Sequence, residues 1–281
     1  MFKERFFTIT KSPLRALVYS YLLAISLCLI FSASLAYAYS GAQATCNRAE
    51  PKPNIDGKVA EGEWGEGLYL SKAVCLPGSS KYNGFGNVYT PDQITDENDI
   101  SGTIYCLWDD QNLYLAAKIT DDDLFFEKGS GWDNDCCEIR FSPDGTKVVG
   151  LWITASLSKG GPGWYRKNDL NAAEKTEETP LIKATIGAKG YEWETAIPLT
   201  HESVAGLDPA VGKIVGHTVS IGDHDKGGAE YSMPAWSLNP AAWGWDAAFW
   251  GELTFSGEGI VISAVSPQGK LAASWGAIKT K

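Results

Sequence analysis

The sequence predicts an all-β fold, an antiparallel β-sandwich of jelly-roll or immunoglobulin-like type with about ten strands. Three observations predict it. Short runs rich in Val, Ile, Thr, Tyr and Trp recur along the chain, many with period-two alternation. Turn residues bound them. No stretch carries helical spacing beyond a single turn near 201–205. A chain of 281 residues with 30 Gly and 11 Trp suits strands, tight turns and aromatic side chains to spare.

Taken in order, the first element is an export leader, residues 1–38. Lys3, Arg5, Lys11 and Arg15 precede an apolar run over 16–35, and Ala36-Tyr37-Ala38 supplies a small-residue cleavage site. That is the pattern of a secretory signal, with cleavage after Ala38 and a secreted or periplasmic destination. The apolar run is also long enough to span a bilayer, but the triplet after it favours cleavage and a product without membrane contact. Residues 39–48 read as an N-terminal extension, 49–256 as one domain, and 257–281 as a tail. Within that tail, 266–281 reads as a segment able to dock on a protein partner.

Strands are expected at 68–74, 102–108, 112–119, 136–141, 148–157, 181–187, 191–198, 216–222, 231–236, 250–255 and 260–265. Asp109-Asp110-Gln111 joins two of them as a tight hairpin connection. Trp64, Trp108 and Trp193 fall in strand or strand-edge patterns and are expected in the core. Two long polar, Gly-rich connections, 76–100 and 158–179, are expected as loops at one end of the sandwich, where binding sites concentrate.

Charge excludes several functions. Lys and Arg number 24 against 34 Asp and Glu, a net charge of −10. No basic stripe awaits phosphates, which argues against nucleic acid and anionic lipid. With 3 His and 2 Met there are few ligands for haem or copper, and no C-x-x-C-H attaches a haem. No G-x-S-x-G occurs, and His201, His217 and His224 lack a Ser or Cys partner motif. The acidic residues offer many arbitrary glycosidase pairs but no catalytic-family motif, so the domain is not expected to be an enzyme.

The cysteines suit an oxidising compartment. Cys46 paired with Cys75 would close a loop of about 30 residues, worth ~3 kcal/mol, and Cys106 would reach Cys136 or Cys137 if their strands are neighbours. Calcium is the one cofactor the acidic loops suit, because it takes six to eight oxygens from clustered loops. Asp223-His224-Asp225 carries the Asp-x-Asp spacing, making Asp223 and Asp225 the candidate metal ligands, with 121–123 and Asp133/Asp135 as further acidic loops.

Several segments carry more than β patterning: Ile55-Asp56-Gly57-Lys58 with Glu61-Gly62-Glu63-Trp64, then Leu107 through Leu115 leading to Asp121-Asp122-Asp123. Gly131-Trp132-Asp133-Asn134-Asp135-Cys136-Cys137-Glu138 follows, then Tyr191-Glu192-Trp193-Glu194, and a closing Trp250-Gly251-Glu252-Leu253. In that order, over about 55–255, they resemble the family nine carbohydrate-binding modules, sandwich domains attached to xylanases and related secreted enzymes of polysaccharide catabolism. The resemblance implies a site where two Trp rings clamp a sugar while polar groups orient its hydroxyls. Trp132 matches one wall and Trp243 or Trp245 the other; Glu138 and Asp121 match the acidic residues. Leu151-Trp152-Ile153-Thr154 stands where sugar-binding members carry an Arg and an Asn, and Ser220 and Gly222 stand where an amide pair would sit. The expected function is non-catalytic binding of a glycan by aromatic stacking, weak at roughly 10 μM to 1 mM. The alternative is a structural or protein-interaction sandwich that has lost the sugar site.

Overall fold

The computed structural model describes residues 42–76, 86–128, 131–155, 163–167, 175–177, 181–201, 204, 206–236 and 246–260, all within the unit Tyr39–Lys281. Fourteen strands run in the order β1 Gln43–Arg48, β2 Leu68–Ser71, β3 Asn87–Tyr89, β4 Ile100–Trp108, β5 Asn112–Asp121, β6 Cys136–Ser142, β7 Val149–Thr154, β8 Gly163–Lys167, β9 Lys175–Glu177, β10 Leu181–Gly187, β11 Gly190–Pro198, β12 Ile214–Gly222, β13 Met233–Ala235 and β14 Gly251–Phe255. The chain is an all-β sandwich. It has more strands than the expected ten and is not purely antiparallel.

One sheet is ordered β10-β11-β5-β4, with β2 also paired to β4; the other runs β14-β12-β6-β7-β8-β9, with β13 and β3 leading off β12. β1 belongs to both. Gln43 through Cys46 pair in parallel with Glu252 through Phe255 of β14, and Asn47 and Arg48 pair in parallel with Leu107 and Trp108 of β4. Residues 43–48, read from sequence as an extension, are therefore a strand that crosses from one sheet to the other. The two parallel ladders correct the expectation of an antiparallel fold.

Alternation sorts each strand into two faces. Leu113, Leu115, Ala117 and Ile119 of β5, Ile139 and Phe141 of β6, Leu151 and Ile153 of β7, and Val215, Val219 and Ile221 of β12 meet in one core between the sheets. Trp108 and Trp193 join that core, and Trp64 is buried on the outer face of β4–β5 with Leu107, Tyr114 and Ala116. The segment around Trp64 is held down by Glu194, which accepts from the Asp56 and Gly57 N–H groups at 2.8 Å and from Trp64 Nε1 at 2.9 Å. Glu192 accepts from Val59 N at 2.7 Å. The acidic motif of β11 thus pins the start of the domain.

Three differences from the sequence reading have local causes. The 68–74 strand stops at Ser71, whose hydroxyl caps the helical turn α1 Lys72–Cys75 by accepting from Val74 N. β8 and β9 form a paired extension of the sheet within the expected loop 158–179. Of the expected strand 260–265, and of the tail, only residues to 260 are described. Among the described residues, no helix is long and apolar enough to cross a membrane. β10 forms the far edge of its sheet, with Leu181 and Ile186 about half exposed. The β10–β11 turn needs Gly190, at φ +127°, because a Cβ there would stand 2.0 Å from the Ile119 carbonyl oxygen.

His217 sits within the core, 2% exposed. Its ring stacks on Phe141 at 4.8 Å, and Nδ1 donates to the Arg140 carbonyl at 3.0 Å. Burial lowers its pKa from 6.5 to about 4, partly opposed by that hydrogen bond. A depressed histidine pKa contributes stability that is present above the unfolded value and lost as pH falls through 6.5 toward 4. Loss of about 3 kcal/mol across that window is expected. Urea denaturation at stepped pH should show it, and His217→Phe should flatten the profile between pH 6.5 and 4.

Candidate functional site

Two groups of side chains stand out, and β6 with its flanking loops builds both. The first lies on the face of β6 turned away from the core. Glu138 and Arg140 share that face by period two, and the cross-strand register sets Glu138 between Trp152 of β7 and Ser220 of β12. Glu138 and Arg140 are 5% and 3% exposed and form an ion pair with each other. The Arg140 guanidinium lies 5.6 Å from the centre of the Trp152 ring. Trp132, on a 3-10 turn before β6, packs edge-on against Trp152 with ring centres 6.0 Å apart, and is partly buried there. Its turn is anchored because the carbonyl of Trp132 accepts from His224 Nε2 at 3.1 Å. Asn134 adds two bonds, accepting from Lys128 N at 2.9 Å and donating to Lys128 O at 3.0 Å.

This face holds an aromatic wall, a carboxylate, a guanidinium and a hydroxyl. Ser220 Oγ is buried and has no hydrogen-bond partner among the described residues. The set can stack an apolar ring face and pair with hydroxyls. Arg140 is the member that sequence reasoning missed. The i, i+2 spacing from Glu138 was the available signal, since two charges on one face of a strand pair locally.

The second group is a cluster of aspartates at one end of the core. Asp121 ends β5, Asp135 precedes β6, Asp223 and Asp225 follow β12, and Asp99 precedes β4. Carboxylate oxygens of Asp121, Asp135 and Asp223 lie within 4.8 Å of one another, as do those of Asp99, Asp223 and Asp225, and of Asp121, Asp122 and Asp225. Asp121 and Asp135 are 0% exposed. Backbone donors fix part of the set. Phe125 N and His224 N donate to Asp135, Asp123 N to Asp121, and the Ser232 hydroxyl to Asp223. Among the described residues Asp121 Oδ2, Asp223 Oδ1 and Asp225 Oδ1 have no hydrogen-bond partner, and no ion pair reaches the five carboxylates.

Stacking that much charge out of water raises the pKa of Asp121, Asp135, Asp223 and Asp225. Burial is the largest cause throughout. It lifts Asp121 to about 7, Asp135 to about 10, Asp223 to about 8 and Asp225 to about 6, with neighbouring carboxylates adding to the rise. An all-oxygen donor set with orphaned, buried acceptors fits a hard divalent cation. His224 turns its Nε2 to the Trp132 carbonyl, away from any such role.

The sequence-predicted residues divide accordingly. Trp132 and Glu138 share the first group. Asp121, matched by resemblance to a sugar hydroxyl, is wholly buried among the aspartates, on the core-facing alternation of β5 beyond Ile119. Asp223 and Asp225 lie together, with Asp99, Asp121 and Asp135 added. Trp243 and Trp245 lie outside the described residues. The expected pairings of Cys46 with Cys75 and of Cys106 with Cys136 or Cys137 are not formed. All five described cysteines are free thiols, Cys46 lies beside Cys106, and β4 and β6 belong to different sheets.

A sequence profile described as "Carbohydrate family 9 binding domain-like" matches residues 80–258. Endo-1,4-beta-xylanase A of Thermoanaerobacterium saccharolyticum is 24% identical over 182 residues, 63% of this chain and 15% of that protein. Exoglucanase XynX of Acetivibrio thermocellus is 25% identical over 182 residues, 63% of this chain and 16% of that protein. The matched region spans about a sixth of the length of these relatives. A family 9 carbohydrate-binding module from Caldicellulosiruptor kristjanssonii, solved in complex with cellotriose, superposes with a TM-score of 0.50 at 19% identity, over 81% of this chain and all of that one. The likeness shows a shared fold.

The buried Glu138–Arg140 pair generates a stability prediction. Glu138→Leu strands a buried guanidinium and should cost about 3 kcal/mol, while adding Arg140→Met should recover most of it. Chemical denaturation of the three proteins measures both steps.

Proposed function

From a chain that belongs to the carbohydrate family 9 binding domain-like family, a family of non-catalytic carbohydrate-binding modules, we propose a glycan-binding protein whose ligand stacks on Trp132. The observation that carries this is the row on the outer face of β6. A partly buried indole there backs onto a second indole, beside a paired carboxylate and guanidinium and a hydroxyl with no described partner. Carbon–hydrogen faces of a pyranose match the indole, and ring hydroxyls match the fixed polar atoms. Trp243 or Trp245 supplies the opposing wall in this reading. No acid–base pair at glycosidase spacing is invoked; the protein binds and does not cleave. In this reading the leader-like residues 1–38 direct it out of the cytoplasm, to a secreted or periplasmic setting where polysaccharide is met. Cello-oligosaccharides and xylo-oligosaccharides are the first ligands to try, because one similar module was solved with cellotriose and one relative is a xylanase.

Calcium is the cofactor proposed with this function. Asp121, Asp135, Asp223 and Asp225, with Asp99 beside them, would hold it and would neutralise their mutual repulsion. The bound ion would brace the loops before β6 and after β12, and so the turn that carries Trp132. Its own contribution is charge and coordination, with no chemical step.

Calorimetric titration tests the glycan reading. Binding at roughly 10 μM to 1 mM is expected, and Trp132→Ala should weaken it at least tenfold. No heat across the oligosaccharide panel would favour the structural module. For calcium, thermal melting with and without chelator should separate by roughly 5–10 °C at a calcium concentration a hundred times Kd. The difference should grow from pH 5 to pH 8, because the raised carboxyls must shed protons to coordinate. In Asp223→Asn it should shrink.

A further inference from the structure

The point at which β1 leaves one sheet for the other is occupied by two cysteines. Cys46 is the last residue of β1 in register with β14, opposite Phe255; the next residue, Asn47, opens the ladder to β4 opposite Leu107. Stepping back one position on both strands brings Cys46 beside Cys106. Their sulfurs are 2.8 Å apart. That is closer than two sulfurs in van der Waals contact, and less than an ångström beyond the separation of about 2.05 Å in a disulfide. Cys46 is fully buried, whereas Cys106 is half-buried and lines a cleft of about 270 Å³ between the sheets, with Thr45, Glu66 and Tyr105 at its wall. The remaining described cysteines are placed differently. Cys75 lies on α1, and Cys136 and Cys137 are consecutive on β6 and so face opposite sides of their sheet.

We propose that Cys46 and Cys106 form a disulfide that staples β1 to β4 at the crossover between the two sheets. The oxidant is a disulfide donor, either a small thiol compound or a protein with an exposed disulfide. Cys106, which the cleft makes reachable, loses its proton and attacks the donor. The donor's S–S bond breaks, one thiol leaves, and a mixed disulfide stands on Cys106. Cys46, also deprotonated, then attacks the Cys106 sulfur and expels the second donor thiol. Two thiols have been oxidised, the donor has been reduced to two thiols, and the two cysteine protons have passed to the released sulfurs. Burial, together with the neighbouring Cys106, holds the Cys46 thiol well above the usual thiol range, so the first attack falls to the reachable Cys106 and the second rests on proximity. The bridge would close a loop of about 60 residues in the unfolded chain, a length at which cross-linking restrains that state strongly.

The full chain, refolded in a glutathione redox buffer and digested without reductant, tests the assignment by peptide mass mapping. The expected result is one linked pair joining the peptides of Cys46 and Cys106, with two fewer alkylatable thiols in the denatured protein. Reduction should lower Tm by about 10 °C, and Cys106→Ser should abolish that sensitivity to reductant. Cys75→Ser should leave the linked pair in place. Alkylation of every cysteine after exposure to glutathione disulfide would overturn the proposal. So would a linkage that joins Cys46 to any other cysteine. Because the mapping is done on the unmutated protein, a variant that fails to fold leaves the decision intact.

Discussion

Six residues hold the two halves of this protein together at the level of the backbone. Strand β1 spends its first part bonded to β14 and its last two residues bonded to β4. Each sheet therefore finds its position relative to the other through one continuous segment, in addition to the side chains packed between them. The direction of β1 forces both ladders to be parallel, which is why an otherwise antiparallel sandwich contains them. The register it imposes places the core-facing residues of β4 and β5 opposite those of β6 and β12, and the outer face of β6 follows by alternation.

Charge is handled in two ways on either side of that arrangement. Glu138 and Arg140 neutralise each other on a buried face, and Glu194 is satisfied by three N–H donors from the start of the domain. The aspartates at the end of the core have neither solution in full. Backbone groups satisfy some of their oxygens, while others face one another. Buried like charges at such spacing are tolerated in proteins where protons or a cation balance them. The fold thus spends its backbone donors on shaping the cluster and leaves its charge to be neutralised from outside.

Much of this was legible in the sequence, and the exceptions share a cause. Strands β4, β5, β11 and β12 announce themselves because each alternates over a sheet with one face in the core. β1 does not, since Gln43-Ala44-Thr45-Cys46-Asn47-Arg48 is polar at most positions and buries only Cys46 in full, its place being set by backbone ladders on both sides. β8 and β9 hide in a Gly-rich stretch that has no apolar alternation at all. Asp121 was matched to a sugar hydroxyl by resemblance, and the strand period says which face a residue takes but not what waits at the end of the strand. The aspartate cluster draws on four separate loops and the cysteine pair on two strands 60 positions apart. Such meetings are set by topology, which local patterns do not encode. Arg140 was closer to hand, two residues from Glu138 on the same strand.

The parallel pairing of β1 with β14 also has a consequence for how the chain comes to be folded. An early segment takes as its neighbour the last strand of the domain, so its ladder cannot close until nearly the whole domain has been made. Contacts of such long sequence separation slow folding. A growing chain accordingly carries Gln43 through Cys46 without their ladder throughout its synthesis, and only the arrival of 251–255 ends that wait.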